Sequence, residues 1–475
     1  MNDAITSRDK DFAKWYTDVV NAAHLASYSN VKGCIVIEPN GYAIWESIQK
    51  VLDNEFKKLG HENIYMPLLI PENLMKKETD LINGFSPEGA WVTCGGNKEL
   101  EERLCIRPTS ETLFSDYYSS VVKSYRDLPK KYNQWCNVLR WEKETRPFLR
   151  SREFLWQEGH TIHETSEEAE KETLDMLNCY YDFFHNYLAI PCIKGKKTEK
   201  EKFAGADYTY TIEALMYNGV SLQSGTTHYF GQRFSKAYDI KFLNRDNKLE
   251  YVYQTSWGVS TRIIGALIMV HSDDKGLVLP PRIAPKKVAI IPIGKDEEIK
   301  SLCSNVCKKL NDNDITSYID DSEKTPGFKF AQAEVNGIPV RIEIGKRDLD
   351  EGKITLTRRD TLEHITISKD EDIVKAVNKL LLDIQNNLYN KALERRNSMT
   401  YTATNMDELA DIMNNHPGFT KAMWCGKKEC EEKIKEIKGC KSRCIPFKEE
   451  QEKISDVCVC CGEPAKEMVI WDIQY

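Results

Sequence analysis

The pattern of apolar and polar residues is most informative over residues 133–164. Two apolar and aromatic runs flank a charged, proline-containing tip at residues 142–148, which predicts a long β-hairpin. Because side chains alternate between the faces of a strand, Arg140 and Glu142 share one face of the hairpin. The residues in step on the returning strand are Arg150, Arg152, Phe154, Trp156, Glu158 and His160. This mixture favours a face that binds a ligand with phosphates and a flat base; the alternative is a partly buried structural hairpin.

The chain before this hairpin predicts helices and short strands. Residues 1–32 have helical spacing, and a strand and a Pro-Asn-Gly turn at residues 39–41 follow. A helix is then predicted over residues 42–59, ended by Gly60, with a strand that ends at Pro67. These elements occur in many α/β proteins and do not by themselves indicate a function.

Residues 104–114 predict the end of an apolar strand, followed by the string RPTSE at residues 107–111. One interpretation is that Thr109 or Ser110, with Glu111 nearby, only caps the next helix. The other is that Thr109 and Glu111 bind a small ammonium cation, because a carboxylate accepts charge-assisted hydrogen bonds from such a group.

The region after the hairpin predicts an amphipathic helix over residues 166–189 and alternating strands over residues 201–235. A Ser256-Trp257-Gly258 turn is predicted before a helix that opens near Ser260. Arg262 in the first turn of that helix opposes the helix dipole, and a bound anion would reverse the sign of this effect. The polar and aromatic residues expected at the edges of turns in the strand region are Phe203, Gln223, Thr226 and His228.

Composition indicates a soluble, multidomain enzyme. The 475 residues correspond to roughly three domains at about 150 residues each, and we predict boundaries of 1–283, 284–394 and 395–475. The net charge of −7 excludes wholesale coating of a polyanion. The charged N-terminal stretch predicts no signal peptide, and the apolar run at 263–270 is too short to span a membrane. Fifteen cysteines without a secretory signal predict thiols in a reducing cytoplasm.

Seven of the fifteen cysteines lie between Cys425 and Cys461, a density that core packing does not explain. The spacing predicts a structural zinc site, with Cys425 and Cys430 as one pair of thiolate ligands and Cys458 and Cys461 as the other. Such a closed site has no open position for catalysis. Alternative ligands remain on the sequence evidence, namely Cys460 in place of Cys461, and also Cys440 and Cys444.

These strings together resemble a known family. Pro67 after a helix and strand, RWE at residues 140–142, and Gly258 with Arg262 look like motifs 1, 2 and 3 of class II aminoacyl-tRNA synthetases. The finer strings resemble prolyl-tRNA synthetases of the archaeal and eukaryotic-like type, over essentially the whole chain. These strings are RPTSE, PFLRSREFLWQEGHT, KFAGADYTYTIEA, LQSGTTHYFGQ and TSWGVSTR.

The resemblance implies a mixed α/β (α+β) fold. It comprises a class II catalytic domain with a six-stranded antiparallel sheet, an α/β anticodon-binding domain and a small C-terminal zinc-binding α+β domain. Motif 1 would form a homodimer interface. ATP and Mg²⁺ would be used with L-proline and tRNA(Pro). Because only about 90 residues separate motifs 2 and 3, the long bacterial editing insertion is not expected.

The resemblance also implies roles for individual residues. Arg140, Arg150 and Arg262 would be the catalytic cations that hold phosphates, with Arg140 also contacting the proline carboxylate. The remaining nucleotide contacts would be Glu142, Phe154, Gln223, Thr226 and Thr255. The proline site would comprise Thr109 and Glu111 at the nitrogen, with Trp156, His160, Phe203, His228, Ser256 and Gly258 around the ring.

The segment at residues 286–383 predicts a βαβαβ module after the Pro-rich stretch LVLPPRIAPKK. By resemblance it would read the proline anticodon, and base readout needs both donors and acceptors. The candidate contacts are Lys329, Glu334, Arg347, Lys353 and Arg359, although for each one taken alone a solvated surface charge is the favoured interpretation.

The implied chemistry joins two anions, so it needs charge neutralisation and alignment rather than a protein nucleophile. An acid/base role for His160 and His228 is the less favoured alternative to a pocket wall. Two further hypotheses are a synthetase-like protein without catalysis, which should lack phosphate-binding arginines, and an enzyme for another small amino acid, which the aromatic residues disfavour.

Overall fold

The computed structural model describes residues 5–81 and 89–475, so residues 1–4 of the predicted helical entry lie outside the described residues. The N-terminal elements are helix α1 (Phe12–Ala22), strands β1 (Ala26–Tyr28) and β2 (Ile35–Ile37), and helix α2 (Pro39–Lys58). The predicted Pro-Asn-Gly turn is wrong, because these residues form the first turn of α2. Proline is favoured at that position since its missing N–H would have no partner there.

The segment around Pro67 is less regular than expected. Its elements are β3 (Glu62–Asn63), β4 (Leu69–Pro71), α3 (Glu72–Leu81), β5 (Ala90–Gly95), β6 (Lys98–Ile106) and α4 (Glu111–Val121). The predicted strand ending at Pro67 is wrong, because β3 has only two residues. Beyond it the Met66 amide donates to the Gln134 side chain at 3.0 Å instead of to a strand backbone, so the ladder stops.

The central sheet has six antiparallel strands, in the order β9-β10-β11-β14-β8-β7, as predicted, and β3 adds in parallel at one edge. The strands are β7 (Lys130–Leu139), β8 (Glu153–His163), β9 (Cys192–Lys196), β10 (Tyr208–Leu215), β11 (Ser221–Gly231) and β14 (Tyr253–Ser260). Strands β7 and β8 are the predicted hairpin. The intervening elements are α5 (Ser166–Asn186), α6 (Arg233–Ala237), β12 (Lys241–Leu243), β13 (Leu249–Tyr251) and, after β14, α7 (Arg262–His271).

Helix α5 covers one face of this sheet and leaves the other free for a site. Tyr180 of α5 packs with Trp257, Ile212 and Leu222 of the sheet in the main hydrophobic core. Because neighbouring side chains alternate, Ser256 and Gly258 lie on the face opposite Trp257. The core therefore fixes which strand residues can meet a ligand.

The next module contains the predicted βαβαβ order, followed by an antiparallel pair and a long helix. The elements are β15 (Val288–Ile293), α8 (Glu297–Asn311), β16 (Ser317–Ile319), α9 (Pro326–Val335), β17 (Val340–Gly345), α10 (Lys346–Asp350), β18 (Lys353–Arg358), β19 (His364–Ser368) and α11 (Ile373–Ser398). Strand β15 pairs in parallel with β16 and β17, and β18 and β19 extend the sheet antiparallel. Helix α11 crosses residue 394, the predicted domain boundary.

The C-terminal module joins the central sheet. Its elements are β20 (Thr400–Thr402), α12 (Met406–Asn415), β21 (Phe419–Trp424), α13 (Lys428–Lys435), β22 (Lys441–Pro446) and β23 (Glu467–Asp472). Strand β22 pairs with β23 on one side and with β9 on the other, which creates one sheet of eleven strands. The sequence did not indicate this continuity, because a strand edge carries no local signal for a distant partner.

A buried ion cluster reinforces this junction. Arg443 of β22 donates to the Glu213 carboxylate at 2.9 and 3.2 Å, and Lys197 donates to the other oxygen at 2.8 Å. The side chains of Arg443 and Glu213 are fully buried. The last residue, Tyr475, donates its backbone N–H to the Ser221 carbonyl at 3.1 Å. Among the described residues, no helix is both long and apolar enough to cross a bilayer.

Candidate active site

A cavity of about 190 Å³ lies on the free face of the central sheet, and thirteen of the sixteen predicted substrate-site residues line it. Those residues are Thr109, Glu111, Arg140, Phe154, Trp156, His160, Phe203, Gln223, Thr226, His228, Ser256, Gly258 and Arg262. The other three, Glu142, Arg150 and Thr255, do not line it. Five parts of the chain, at residues 109–111, 140–160, 203, 223–228 and 256–262, therefore converge on one cavity.

Two arginines give the cavity its positive charge. The Arg140 guanidinium donates from Nε to the Pro108 carbonyl at 3.0 Å and lies 5.3 Å from the Trp156 ring. Arg262 donates from Nε to the Leu149 carbonyl at 3.3 Å. Among the residues that the structure describes, neither guanidinium has a carboxylate within ion-pair distance. Burial, with a further contribution from the charges of Arg140 and Arg150, lowers the pKa of Arg262 to about 10, so it remains a cation at neutral pH.

The remaining charged residues lie at the hairpin tip. Arg150 is about half exposed, and its Nη1 lies 3.9 Å from Glu142 Oε2. Arg152 does not share the face predicted for it, because it stacks on Trp141 with 4.1 Å between guanidinium carbon and ring centre. The alternation that placed it there begins only with β8 at Glu153, one residue later.

The structure corrects the predictions for strand β14. Ser256, Trp257 and Gly258 do not form a turn but lie inside the strand, where Gly258 pairs with Thr226 and Glu158. The Thr255 hydroxyl faces away from the cavity and bonds the Thr161 hydroxyl, so a side-chain contact from Thr255 to a nucleotide is not supported.

Gln223, Thr226 and His228 likewise lie within β11 rather than at turn edges. Only Phe203 precedes its strand. Small residues such as those of β11 and β14 are typical of turns. In this fold they lie within strands and leave room for a cavity above the sheet.

One half of the cavity presents a buried carboxylate. Thr109 Oγ1 donates to one oxygen of Glu111, and Ser256 Oγ donates to the other at 3.3 Å. Glu111 has no cationic partner within ion-pair distance among the described residues, although only 6% of its surface is exposed. A buried carboxylate is costly unless a cation pairs with it, so this position suits an ammonium-type group.

The helix-cap interpretation of this segment is not supported. Ser110 occupies the N-cap position of α4, but its side chain makes no capping hydrogen bond. Its hydroxyl instead donates to Glu158, which the sequence placed on the ligand face without assigning it a role. The regular spacing of Phe154, Trp156, Glu158 and His160 was the signal for including this residue.

Aromatic rings and a neutral histidine enclose the same half of the cavity. Phe203 lies 4.6 Å from His228, measured between ring centres, and His160 stacks on Phe114 at 4.2 Å. His228 Nδ1 is 2.9 Å from Thr209 Oγ1. Burial, with a contribution from His160, lowers the pKa of His228 to about 3, so its imidazole is uncharged at neutral pH. A flat, largely apolar wall results.

The predicted anticodon contacts fall into two groups. Arg347 and Lys353 are exposed, with 91% and 51% of their side-chain surface accessible. Lys329 is buried and donates to the Asp320 carbonyl at 2.8 Å. Arg359 is buried in a bidentate pair with Asp273, at 2.6 and 2.8 Å.

The buried side chains of Lys329 and Arg359 hold the fold together in this structure instead of facing solvent. Glu334 is half-buried and accepts from Arg341 at 3.0 Å. Arg359 also donates to the Glu334 carbonyl at 2.8 Å. Its pairing with Asp273, just after α7, ties the second module to the first.

The four cysteines predicted as metal ligands form one group. Their Sγ atoms all lie within 4.8 Å of one another, with Cys425 3.6 Å from Cys430 and 3.7 Å from Cys461. Four thiolates around a zinc ion at about 2.3 Å would lie roughly 3.8 Å apart, so the group fits a tetrahedral metal site. Cys458 completes it, whereas Cys460 lies outside.

Comparisons with known proteins agree with this architecture. The model for "tRNA synthetase class II core domain (G, H, P, S and T)" matches residues 91–271, "Anticodon binding domain" matches 287–380, and "Prolyl-tRNA synthetase, C-terminal" matches 406–475. Similar full-length proteins include the proline–tRNA ligases of Clostridium novyi and Ruminiclostridium cellulolyticum. They are 56% identical and cover 100% and 99% of this chain, and 98% of each relative. Proline–tRNA ligase 2 of Bacillus thuringiensis subsp. konkukian is also 56% identical, over 99% of this chain and 98% of its own.

The antiparallel sheet, its arginine-lined cavity and the first of these matches define a class II aminoacyl-tRNA synthetase core. The identity extends from this core through both later modules. The chain therefore belongs to the proline–tRNA ligase family.

Proposed function

We propose that this protein is a proline–tRNA ligase, which activates L-proline with ATP to prolyl-adenylate and transfers the prolyl group to the 3′ end of tRNA(Pro). The observation that carries this proposal is the polarity of the cavity. One half holds the buried Glu111 carboxylate beside aromatic walls, and the other holds Arg140 and Arg262 without acidic partners. An amino acid with a cationic nitrogen and a polyphosphate would satisfy both halves.

The amino-acid half suits proline in particular. Thr109 and Glu111 would hold the secondary ammonium, because the carboxylate oxygens point into a space with hydroxyl donors only. Trp156, His160, Phe203 and His228 would enclose the pyrrolidine ring, with Ser256 and Gly258 beneath it. A Cβ on Gly258 would lie 3.0 Å from the Gln157 carbonyl oxygen, so a side chain there would crowd the floor.

The nucleotide half would align the first reaction step. An oxygen of the proline carboxylate attacks the α-phosphorus of ATP, the bond to the bridging oxygen breaks, and pyrophosphate leaves. Arg140 would contact both the carboxylate and the α-phosphate, and Arg150 and Arg262 the outer phosphates. Phe154 would stack on adenine. Planar guanidinium groups suit this role, because they can bind two anionic oxygens at once.

Mg²⁺ fits the phosphate side, because it prefers oxygen ligands and is held mainly by substrate phosphates. The chain's own oxygen donors there would be Gln223 and Glu142, with Thr226 toward the nucleotide. Bound Mg²⁺ would neutralise charge on the phosphates. The chain's part is to orient the two anions, and the neutral His228 needs to move no proton, because a carboxylate nucleophile is already deprotonated.

Amino-acid-dependent exchange of ATP and pyrophosphate, measured for all twenty amino acids, tests the proposal. Proline should support exchange far above every other amino acid. Absence of proline-dependent exchange in a folded preparation would overturn it.

We infer that tRNA(Pro) is the second substrate and that the exposed Arg347 and Lys353 contact its anticodon region. Changing both to alanine should raise the KM for tRNA(Pro) and leave the KM for proline unchanged. Lys375→Ala, on α11 of the same module, is the control for a general loss of positive charge. A KM for tRNA(Pro) that stays at the wild-type value would exclude these two residues.

We propose a structural zinc ion held by Cys425, Cys430, Cys458 and Cys461. Bound zinc would contribute folding free energy to the C-terminal module. Metal analysis of protein purified without chelators should find one zinc per chain, and Cys425→Ser should lose it. Cys460→Ser is the matched control and should retain the metal. Metal-free wild-type protein would contradict the site.

We also infer a homodimer through motif 1 and a cytoplasmic location. Large apolar side chains are exposed around motif 1, including Tyr65 at 67% and Leu69 at 37%. Tyr65→Glu should shift the mass measured by sedimentation from two chains toward one. The fifteen cysteines all lie within the described residues and form no disulfide there, which fits a reducing compartment.

We infer that no editing domain is inserted between motifs 2 and 3, since the elements from α5 to β13 belong to the catalytic fold. A substrate that lacks one methylene group is discriminated against by only about 1–3 kcal/mol in an apolar pocket. Alanine should therefore be activated slowly but measurably. The protein should not release alanine from preformed Ala-tRNA(Pro) faster than buffer does. Faster release would reveal an editing site.

A further inference from the structure

Glu158 is a buried carboxylate at the cavity wall that connects several predicted substrate contacts. Only 2% of its surface is exposed. Its Oε1 accepts from the Ser110 hydroxyl and from Gln134 Nε2, the latter at 2.7 Å. Its Oε2 lies 3.1 Å from His160 Nε2. Both oxygens are therefore occupied by the protein.

The direction of the hydrogen bond to His160 follows from the charge of Glu158. Burial alone would raise the pKa of Glu158, but the hydrogen bonds from His160, Ser110 and Gln134 bring it below its usual value. An ionised carboxylate only accepts hydrogen bonds, so His160 Nε2 carries the proton and donates it. The hydrogen bond thereby fixes the orientation of the imidazole ring.

The same carboxylate fixes the segment that supplies the nitrogen site. Ser110 lies between Thr109 and Glu111, and its hydroxyl is directed to Glu158 rather than to the end of α4. Gln134 Nε2 lies 2.9 Å from Ser110 Oγ as well, which closes a small ring of hydrogen bonds. Glu158 thus sets the spacing between the nitrogen site and the ring wall.

A hydrogen-bond path continues from Glu158 to motif 1. The Met66 amide donates to Gln134 Oε1 at 3.0 Å, and the Met66 carbonyl accepts from Arg107 at 2.8 Å. Among the described residues of this path, only Gln134 bonds both the Met66 backbone and Glu158. It holds the carboxylate against the segment that precedes Pro67.

We propose that Glu158 is the positioning residue for the proline half of the cavity, acting through His160 and Ser110 to make that half fit a five-membered ring with a secondary amine. This inference rests on the proposed function. The nucleotide contacts Arg262 and Phe154 have no hydrogen bond to this network among the described residues. Loss of Glu158 should therefore weaken the binding of proline more than the binding of ATP.

The test is steady-state exchange kinetics of Glu158→Gln, which keeps the size of the side chain but replaces an acceptor by a donor. The KM for proline should rise about 10-fold or more, the scale of losing a charge-assisted hydrogen bond. The KM for ATP should change by less than about 3-fold, and the ratio of kcat/KM for proline over alanine should fall.

Gln157→Met is the matched control, because Gln157 is the adjacent buried residue of β8 and bonds Tyr180 and Asn133 on the opposite face. It should lower stability without changing the KM for proline. If Glu158→Gln fails to fold, Gln134→Leu should give a smaller rise of the same KM. His160→Ala completes a double-mutant cycle. The variant with both Glu158→Gln and His160→Ala should have a KM for proline no higher than that of the single variant with the higher KM.

Equal changes in the KM values for proline and ATP would overturn the inference, as would an unchanged KM for proline. Fully additive effects of Glu158→Gln and His160→Ala would also overturn it, since the two would then act separately. These failures are distinct from failure of the proposed function, because wild-type protein would still show proline-dependent exchange.

Discussion

Two regions of the molecule use arginine in opposite ways. In the substrate cavity, Arg140 and Arg262 donate only to backbone carbonyls and have no acidic partner within ion-pair distance among the described residues. At the junctions between modules, Arg359 and Arg443 each bind a carboxylate with two nitrogens. A guanidinium without an acidic partner is available for a ligand, whereas a paired one holds the fold together.

The pKa values follow this division. Burial, assisted by neighbouring positive charges, lowers the pKa of Arg262 to about 10. Burial also acts to lower the pKa of Arg443, but the attached Glu213 outweighs it and the pKa is raised. The cavity therefore contains positive charge that has no counter-ion among the described residues, and a bound polyphosphate would neutralise it. At the junction the positive charge is already neutralised by Glu213.

The largest expected effect is on stability at the junction. Arg443→Met leaves Glu213 with only part of its compensation, and breaking a fully buried pair costs about 3–5 kcal/mol. Urea denaturation should show this loss in the free energy of unfolding. Arg347→Met, at an exposed arginine, should change stability by less than about 0.5 kcal/mol. Equal stability of these two variants would remove the distinction between the regions.

A substitution in the cavity should lower activity and leave stability unchanged, the reverse of the effect at the junction. Arg262→Ala should reduce proline-dependent exchange by about 10²-fold or more, the scale of losing one transition-state charge partner. Its free energy of unfolding should not fall, because an unpaired charge is removed. Arg262→Lys should be intermediate, since it keeps the charge without the planar fork. A destabilised Arg262→Ala protein with full exchange activity would reverse the assignment.

The smallest expected effect is on stability at the junction between the first and second modules, where Arg359 pairs with Asp273. Arg359→Lys keeps a cation beside Asp273 but loses the bidentate geometry, which should cost about 1–2 kcal/mol. Exchange without tRNA should remain at the wild-type rate, because Arg359 does not line the cavity. A stability equal to wild type would show that charge alone holds this junction.

The difference between the regions also explains what the sequence could predict. The hairpin of β7 and β8, the cavity face of Trp156 and His160, and the cysteine pairs depend on short, regular spacings. The face on which the Thr255 side chain lies could not be predicted, because nothing in one strand shows which side α5 covers. Arg359 and Asp273 are 86 residues apart, and Arg443 and Glu213 are 230 apart. Such pairs leave no local pattern, so the sequence shows neither the burial of Arg359 nor the joining of the two sheets.

If the cavity activates proline for transfer to tRNA(Pro), the purified protein should charge tRNA(Pro) with proline. Purified protein would be given ATP, Mg²⁺ and a tRNA(Pro) transcript with each amino acid in turn, and the acid-stable aminoacyl ester would be measured. We expect efficient formation of prolyl-tRNA(Pro), which Arg262→Ala should reduce about 10²-fold or more. Efficient charging with another amino acid, or no charging with proline by a folded protein, would contradict it.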